Sequence, residues 1–534
     1  MRVRRFRVAF FLFFPLVILV QLMPSRAPRP QVERVRAGGV LHVRTFTLYP
    51  FKPDFDPAGA AHVFILNQIY DGLVRLDKNL GPVGALADYW MISDDGRTYT
   101  FFLRKGVKFH HGRELEAEDV KFSLERLIHK ETKGTYYQFL TTKVVGAQEY
   151  RDGKASEVSG FKVRDKYTFE ILWKNPYVSA LYLLSMDFCK ILPRDLVQSQ
   201  GRGFFQKPSG TGPFKFDYWL RSPKLDIIGV RLERNDDYFS KRPFLEAIEF
   251  SPLYTAEEFL EEKVDIIPYM SNALSGREIQ VLEAETFTTA FLMMSCHLAP
   301  LDNPSVRRAI SLAIDKKEIA KAAFRMDTNP HVTYNFIPPR LPGFYPAVTK
   351  EGPDLEEAKK ALSQAGYSGE GPFARLTLYR QEDGRDRDTK IYEVLKGQLA
   401  GLGISLRLKE YSSWEEIRSA KDPYLVLLDW SLDFPDPENI VLPIFFSSAA
   451  LNQSLLHYSN PRLDELAKAA EVEQSRTGRI SLFHKIEDLL NVDMPAIPLF
   501  SRQHRLALQP YVRGVVPPPL GFFYLEAKDI WLDK

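Results

Sequence analysis

Between Ala374 and Leu428 the chain alternates strand and helix patterns with little slack. Ala374–Tyr379 reads as a strand, and Lys390–Leu402 has helical spacing and stops at Gly403. Ile404–Lys409 is a second strand, Trp414–Ala420 a second helix and Tyr424–Leu428 a third strand. Strands joined through helices pair in parallel, so this run predicts an α/β fold with a partly parallel sheet.

The third strand leads into YLVLLDWSLDFPDPENI, Tyr424–Ile440. After the apolar start it turns acidic and aromatic: Asp429, Trp430, Asp433, Phe434, Asp436, Glu438. Pro435 and Pro437 stop a helix and impose an extended or turning path. Ligands of α/β proteins bind where chain leaves the carboxyl ends of strands. Carboxylates beside an aromatic there suit a cationic group on an otherwise apolar ligand. Taken alone, the run reads more readily as a solvated acidic turn.

A chain of 534 residues exceeds what one core fills (~250–300 residues), which predicts two or three domains. The 38 Phe and 24 Tyr suit large cores and clefts that grip a ligand by its sides. A net charge of +3 with acids and bases well mixed gives no field of the kind a nucleic-acid binder carries. Cys189 and Cys296 belong to no CxxC or Cys/His cluster, so no zinc site is expected, and two separate buried thiols are.

Four arginines and an uncharged run, Val8–Met23, open the chain in the pattern of a signal sequence. The run falls short of the ~20 residues of a comfortable membrane span. No small-x-small cleavage site and no cysteine for lipid attachment follow. A cleaved signal and a retained anchor with a basic stalk, Pro24–Ala37, both stay open. The positive-inside rule keeps Arg2, Arg4, Arg5 and Arg7 in the cytoplasm and sends the rest out.

Further along, the patterns predict strands at Val40–Thr47, Thr98–Leu103, Leu225–Glu233 and Ala247–Pro252, and a hairpin at Phe161–Trp173. Helices are predicted at Ala60–Leu73, Glu116–Ile128, from Pro304, at Asp354–Ala365 before Gly366, at Pro461–Val472 and at Arg479–Leu490. Leu181–Cys189 is apolar and ambiguous. A strand Ala496–Phe500 and a separate apolar stretch Arg505–Leu508 come near the end.

No HExxH, GxSxG or GxxxxGK motif is present, and Gly201-Arg202-Gly203 lacks the third glycine of a dinucleotide fingerprint. His110-His111 sits between a strand and a helix without other ligands nearby and reads as a structural loop. No catalytic residue, no metal and no cofactor are expected.

Seven motifs, in order, then carry a resemblance. They are QIYDGLVRLD (Gln68–Asp77), ALADYWMISDDGRTYTFFLRKGVKFHHGRELEAEDVKFS (Ala85–Ser123), SGTGPFKF (Ser209–Phe216), LERNDDYF (Leu232–Phe239), NPSVRRAISLAID (Asn303–Asp315), EEAKKALSQAGY (Glu356–Tyr367) and LDWSLDFPDPENI (Leu428–Ile440). From Val40 to Lys534 the chain resembles the bacterial extracellular solute-binding proteins of the oligopeptide/dipeptide type, the receptors of peptide ABC importers. Three departures are His111, where the family commonly has Asp before the glycine, the missing lipoprotein cysteine, and a basic SRQHRLAL near the end.

The resemblance implies a two-lobed periplasmic-binding-protein (flytrap) α/β fold with an extra domain inserted in the first lobe. Residues 1–38 would be signal or anchor plus stalk, 39–73 the first part of lobe one, and 74–207 the inserted domain. Residues 208–285 would resume lobe one, 286–494 form lobe two, and 495–534 return to lobe one. It also implies a periplasmic or extracytoplasmic monomer, with residues 8–23 as its membrane contact if uncleaved. A peptide or peptide-like solute would be its ligand, and an inner-membrane permease its partner. By position, Asp433 matches the acid that meets the ligand's α-ammonium in peptide-binding members, Trp430 would pack beside it, and Asp436 is the second candidate. A receptor for a sugar, opine or metal chelate stays open, as does a membrane-tethered sensor or chaperone on the same scaffold.

Overall fold

Two long antiparallel strands, Gln280–Met294 and Ala496–Leu508, run side by side through the centre of the largest sheet. The computed structural model describes residues 36–45, 51–59, 62–134, 136–269, 271–274, 279–324, 328–344, 346, 352–367, 374–381, 386–518 and 520–534. The expected signal or anchor run at residues 8–23 lies outside them. Among the described residues no helix is long and apolar enough to cross a membrane.

The central pair feeds two wings of sheet. On one side, Leu506–Leu508 pairs with Ile266–Pro268, followed by Val40–Arg44, Ala247–Ser251, Ile227–Arg234 and Phe214–Arg221. On the other, Thr288–Met294 pairs with Tyr424–Ser431, followed by Ala374–Gln381 and Ile404–Tyr411. Between the wings the register of the central pair shifts, from Glu285 to Thr289, and Phe287 there has φ 44°. The result is the expected α/β fold of two lobes joined through crossing strands.

The βαβ run folds as its pattern dictates. Ala374–Gln381 pairs in parallel with both Ile404–Tyr411 and Tyr424–Ser431. The intervening helix, Asp386–Ala400, buries Ile391, Leu395 and Leu399 against Leu378 and Leu425. It starts a turn earlier than the apolar spacing predicts, because Asp386 and Asp388 favour a helix N-terminus without contributing to its stripe. Gly403, at φ 74°, makes the turn into the next strand.

Two strands outrun their sequence patterns. Tyr424–Ser431 continues past Leu428 through Asp429 and Trp430, because Ser431, Trp430 and Asp429 pair with Thr288, Thr289 and Ala290. Ala496–Phe500 and Arg505–Leu508 are one strand, since the polar Ser501–His504 segment is held between Gln280–Met294 and Thr328–Val332. The predicted helix Ala60–Leu73 is described only as Val63–Ile69, and Tyr70 is already extended.

A smaller antiparallel sheet, in the order Ala87–Ile92, Thr98–Leu103, Thr168–Leu172, Phe161–Asp165, has its own core. The helix Ala117–Ile128 covers it, placing Leu124 and Leu127 with Phe101 and Phe169. Glu116 and Asp119 form a capping box at its start. The histidine pair beside it is structural. The His110 ring accepts from the Gly210 N–H at 3.1 Å and donates to the Gly212 carbonyl at 3.0 Å, and burial pushes its pKa down to about 4. The glycines of SGTGPF allow that loop to press on the Val63–Ile69 helix. A Cβ at Gly210 would lie 1.9 Å from the Ile69 carbonyl oxygen, and one at Gly212 2.4 Å from that of Gln68. Cys189 is buried, Cys296 half-buried, and both are free thiols.

Candidate functional site

The acidic stretch leaves the strand Tyr424–Ser431 and turns back within six residues. Pro437 caps a single helical turn, Glu438–Ile440, which widens into a π-type turn at Val441–Phe445. The two prolines therefore precede helical structure rather than exclude it. This sharp turn points neighbouring acids in different directions.

Three of the four aspartate and glutamate positions after the strand's apolar start find cations. Asp429 pairs with Arg387 at 2.7 Å and also with Arg502. Asp436, fully buried, takes a bidentate bond from Arg479, at 2.5 and 2.8 Å. Glu438 accepts from the Ser179 hydroxyl at 2.8 Å and lies 3.4 Å from the Lys143 ammonium. Lys143 also pairs with Glu471. A buried, bidentate pair leaves Asp436 little capacity for a ligand.

Asp433 is different. Among the described residues it forms no ion pair. Its backbone N–H donates to the Asn439 side-chain oxygen at 2.7 Å, and its carboxylate receives one long bond, 3.4 Å, from the Asn439 amide. Trp430 donates its indole N–H to the Asn439 carbonyl at 2.7 Å. Asn439 thus joins Trp430 and Asp433 into one unit. Burial pushes the Asp433 pKa up to about 6, and the negative charge of Asp187 acts in the same direction.

Residues distant in sequence face this acid. Phe139 stands 5.9 Å from Phe434 and 5.8 Å from Phe188, ring centre to ring centre, and Tyr136 stacks on Phe188 at 4.4 Å. Tyr524 donates to Asp187 at 3.2 Å. The pKa of Tyr136 is pushed up to about 12, first by burial and then by the charges of Asp187 and Asp433. Tyr524 also lines a neighbouring cavity of about 290 Å3, together with Asp71, Met186, Lys190 and Glu526.

Of the residues singled out in the sequence, the structure brings Trp430 and Asp433 together and turns Asp436 away from them, into Arg479. Sequence reasoning missed Asn439, Tyr136, Asp187 and Tyr524. Asp187 carried a signal: it is a lone acid in the apolar run LYLLSMDFCK. An unneutralised, half-buried carboxylate framed by aromatic rings can receive an ammonium through charge-assisted hydrogen bonds and cation–π attraction. Among the described residues no group of three or more His, Cys, Asp or Glu is placed to hold a metal ion.

The family model for bacterial extracellular solute-binding proteins, family 5 (middle region), matches residues 81–452, more than half of the chain. The chain is 26% identical over 508 residues to the dipeptide-binding protein of Escherichia coli, covering 89% of this chain and 91% of that one. It is 27% identical over 505 residues to heme-binding protein A of Haemophilus influenzae, covering 88% of each. Among solved structures, HbpA2 from Haemophilus parasuis superposes with a TM-score of 0.79 at 24% identity, over 93% of this chain and 100% of that one. DppA from Helicobacter pylori in complex with the peptide STSA gives 0.70, also at 24%, over 93% and 99%. The chain belongs to the bacterial extracellular solute-binding proteins of family 5.

Proposed function

We propose that this protein is the exported receptor of an ABC importer, that it closes its two lobes on a peptide or peptide-like solute, and that Asp433 receives the solute's α-ammonium. The observation that carries this is the contrast within one turn: Asp429, Asp436 and Glu438 are each neutralised by the protein's own cations, and Asp433 is not. Trp430 and Asn439 hold Asp433 in place. The relatives named for dipeptides and for heme leave the class of solute to experiment.

The domain plan that fits this reading puts the join of the lobes at residues 285–286 and 494–495. The register shift after Glu285 and the start of the long strand at Ala496 support it. The inserted domain, 74–207, would carry the small antiparallel sheet. Export requires the run at residues 8–23, which would tether the receptor to the membrane if uncleaved. The solute is handed to a permease unchanged, and the protein is not an enzyme.

Native mass spectrometry of the purified protein, followed by calorimetry with di- and tripeptides, tests the reading. A co-purified peptide, or micromolar binding of free-amine peptides, is expected. A co-purified sugar or tetrapyrrole with no peptide binding would overturn it.

A further inference from the structure

We propose that Asp187 is the second carboxylate of the cation site, so that lobe closure sets two like charges, Asp433 and Asp187, around one ligand cation. This rests on the reading of Asp433 given above. It adds a residue from the opposite wall and a consequence for the empty receptor.

Both carboxylates are fixed by the same aromatic frame. Asp433 adjoins Phe434 and Asp187 adjoins Phe188, and the Phe139 ring lies between those two rings at 5.9 and 5.8 Å. Asp187 sits in the short Asp187–Cys189 helical turn and is only 5% exposed. Its carboxylate has capacity for about four hydrogen bonds, and Tyr524 supplies one, at 3.2 Å. Among the described residues it forms no ion pair; Lys190, three residues on, acts on it only at longer range. Burial raises the pKa of Asp187, against the opposing pull of Lys190 and the Tyr524 hydroxyl, and burial likewise raises that of Asp433.

Among the described residues neither carboxylate has an ion-pair partner, and the charge of Asp187 acts against ionisation of Asp433. The other acids of this turn, Asp429, Asp436 and Glu438, each have an arginine or a lysine. A ligand ammonium between Asp433 and Asp187 would make charge-assisted bonds to both and meet the faces of Tyr136 and Phe188. The empty receptor would lack that bridge, so like-charge repulsion would hold its lobes apart. Cation binding would then shift the population to the closed form because the closed form alone offers both carboxylates.

The test uses the full chain and the isosteric variants Asp187→Asn and Asp433→Asn, with Tyr524→Phe as the variant that removes only the hydrogen bond to Asp187. Calorimetry compares dialanine with N-acetyl-dialanine. A donor–acceptor fluorophore pair, one on each lobe, reports closure without ligand. Asp187→Asn is expected to weaken dialanine about tenfold while leaving the acetylated peptide unchanged. Both Asn variants are expected to raise the closed fraction of the empty receptor, and Tyr524→Phe to do neither. Equal loss for both peptides, or an unchanged closed fraction in Asp187→Asn, would overturn the proposal. If the wild-type protein binds neither peptide, the peptide reading fails, and the closed fraction alone still decides whether the two charges oppose each other.

Discussion

Arg479 holds Asp436 with two nitrogens, at 2.5 and 2.8 Å, while a third contact runs from its Nη2 to the Ser179 hydroxyl at 3.0 Å. All three side chains are buried. The pair thus ties the acidic turn to residues far from it in the chain. Removing Asp436 leaves the buried Arg479 charge with only the longer contact to Glu438, at 3.6 Å. Asp436→Ala is therefore expected to cost about 3–5 kcal/mol in urea denaturation. The double variant Asp436→Leu/Arg479→Met should recover most of that loss. A single-variant loss below about 1 kcal/mol would show the pair to be solvated.

Asp433 behaves in the opposite sense. Its pKa is raised from 3.8 to about 6, so the folded protein binds its proton more tightly than the unfolded chain. The resulting penalty is absent below pH 3.8, grows between 3.8 and about 6, and is constant above that. Discounted for partial exposure, it amounts to about 1–2 kcal/mol at neutral pH. Asp433→Asn is expected to raise the melting temperature of the ligand-free protein at pH 7.5 and to change it little at pH 3.8. A lower melting temperature at pH 7.5 would contradict the absence of a cation partner.

His110 gives a second pH signature. Its pKa falls from 6.5 to about 4 because burial excludes the charged ring, with Lys215 and His111 acting in the same direction, and the bond to the Gly212 carbonyl offsets only part of this. The neutral ring's contribution is complete above pH 6.5 and is lost as pH falls towards 4. The loss reaches about 2–3 kcal/mol at the lower limit. His110→Gln should flatten the stability profile over that interval, as measured by denaturation at several pH values.

Gly210→Ala is expected to destabilise the protein by more than about 2 kcal/mol, because the added methyl group meets the Ile69 carbonyl oxygen at 1.9 Å. Gly203→Ala, where a Cβ has nothing within 4 Å, is the control and should be near neutral. Thermal denaturation of the two variants checks both.

How much of this was legible depends on where the determining partner lies. The βαβ run was legible because apolar spacing and Gly403 act locally. The true end of Tyr424–Ser431 was not, since Asp429 and Trp430 are held extended by Thr289 and Ala290, more than a hundred residues away. Polar Ser501–His504 likewise looks like a loop until its two neighbouring strands are known. Asp433 and Asp436 could not be separated in the sequence for the same reason. The difference between them is Arg479, whose approach to Asp436 is a tertiary fact. Asp187 stood out as a lone acid in an apolar run, yet nothing local shows that it faces Asp433.

The central claim is that Asp433 awaits a ligand cation, and one calorimetric comparison tests it most directly. Wild type and Asp433→Asn are each titrated with a short free-amine peptide and with its N-acetylated form. The account predicts that acetylation and Asp433→Asn each weaken binding at least about tenfold, and that together they cost little more than either alone. Undiminished binding of the acetylated peptide to the wild-type protein would contradict it.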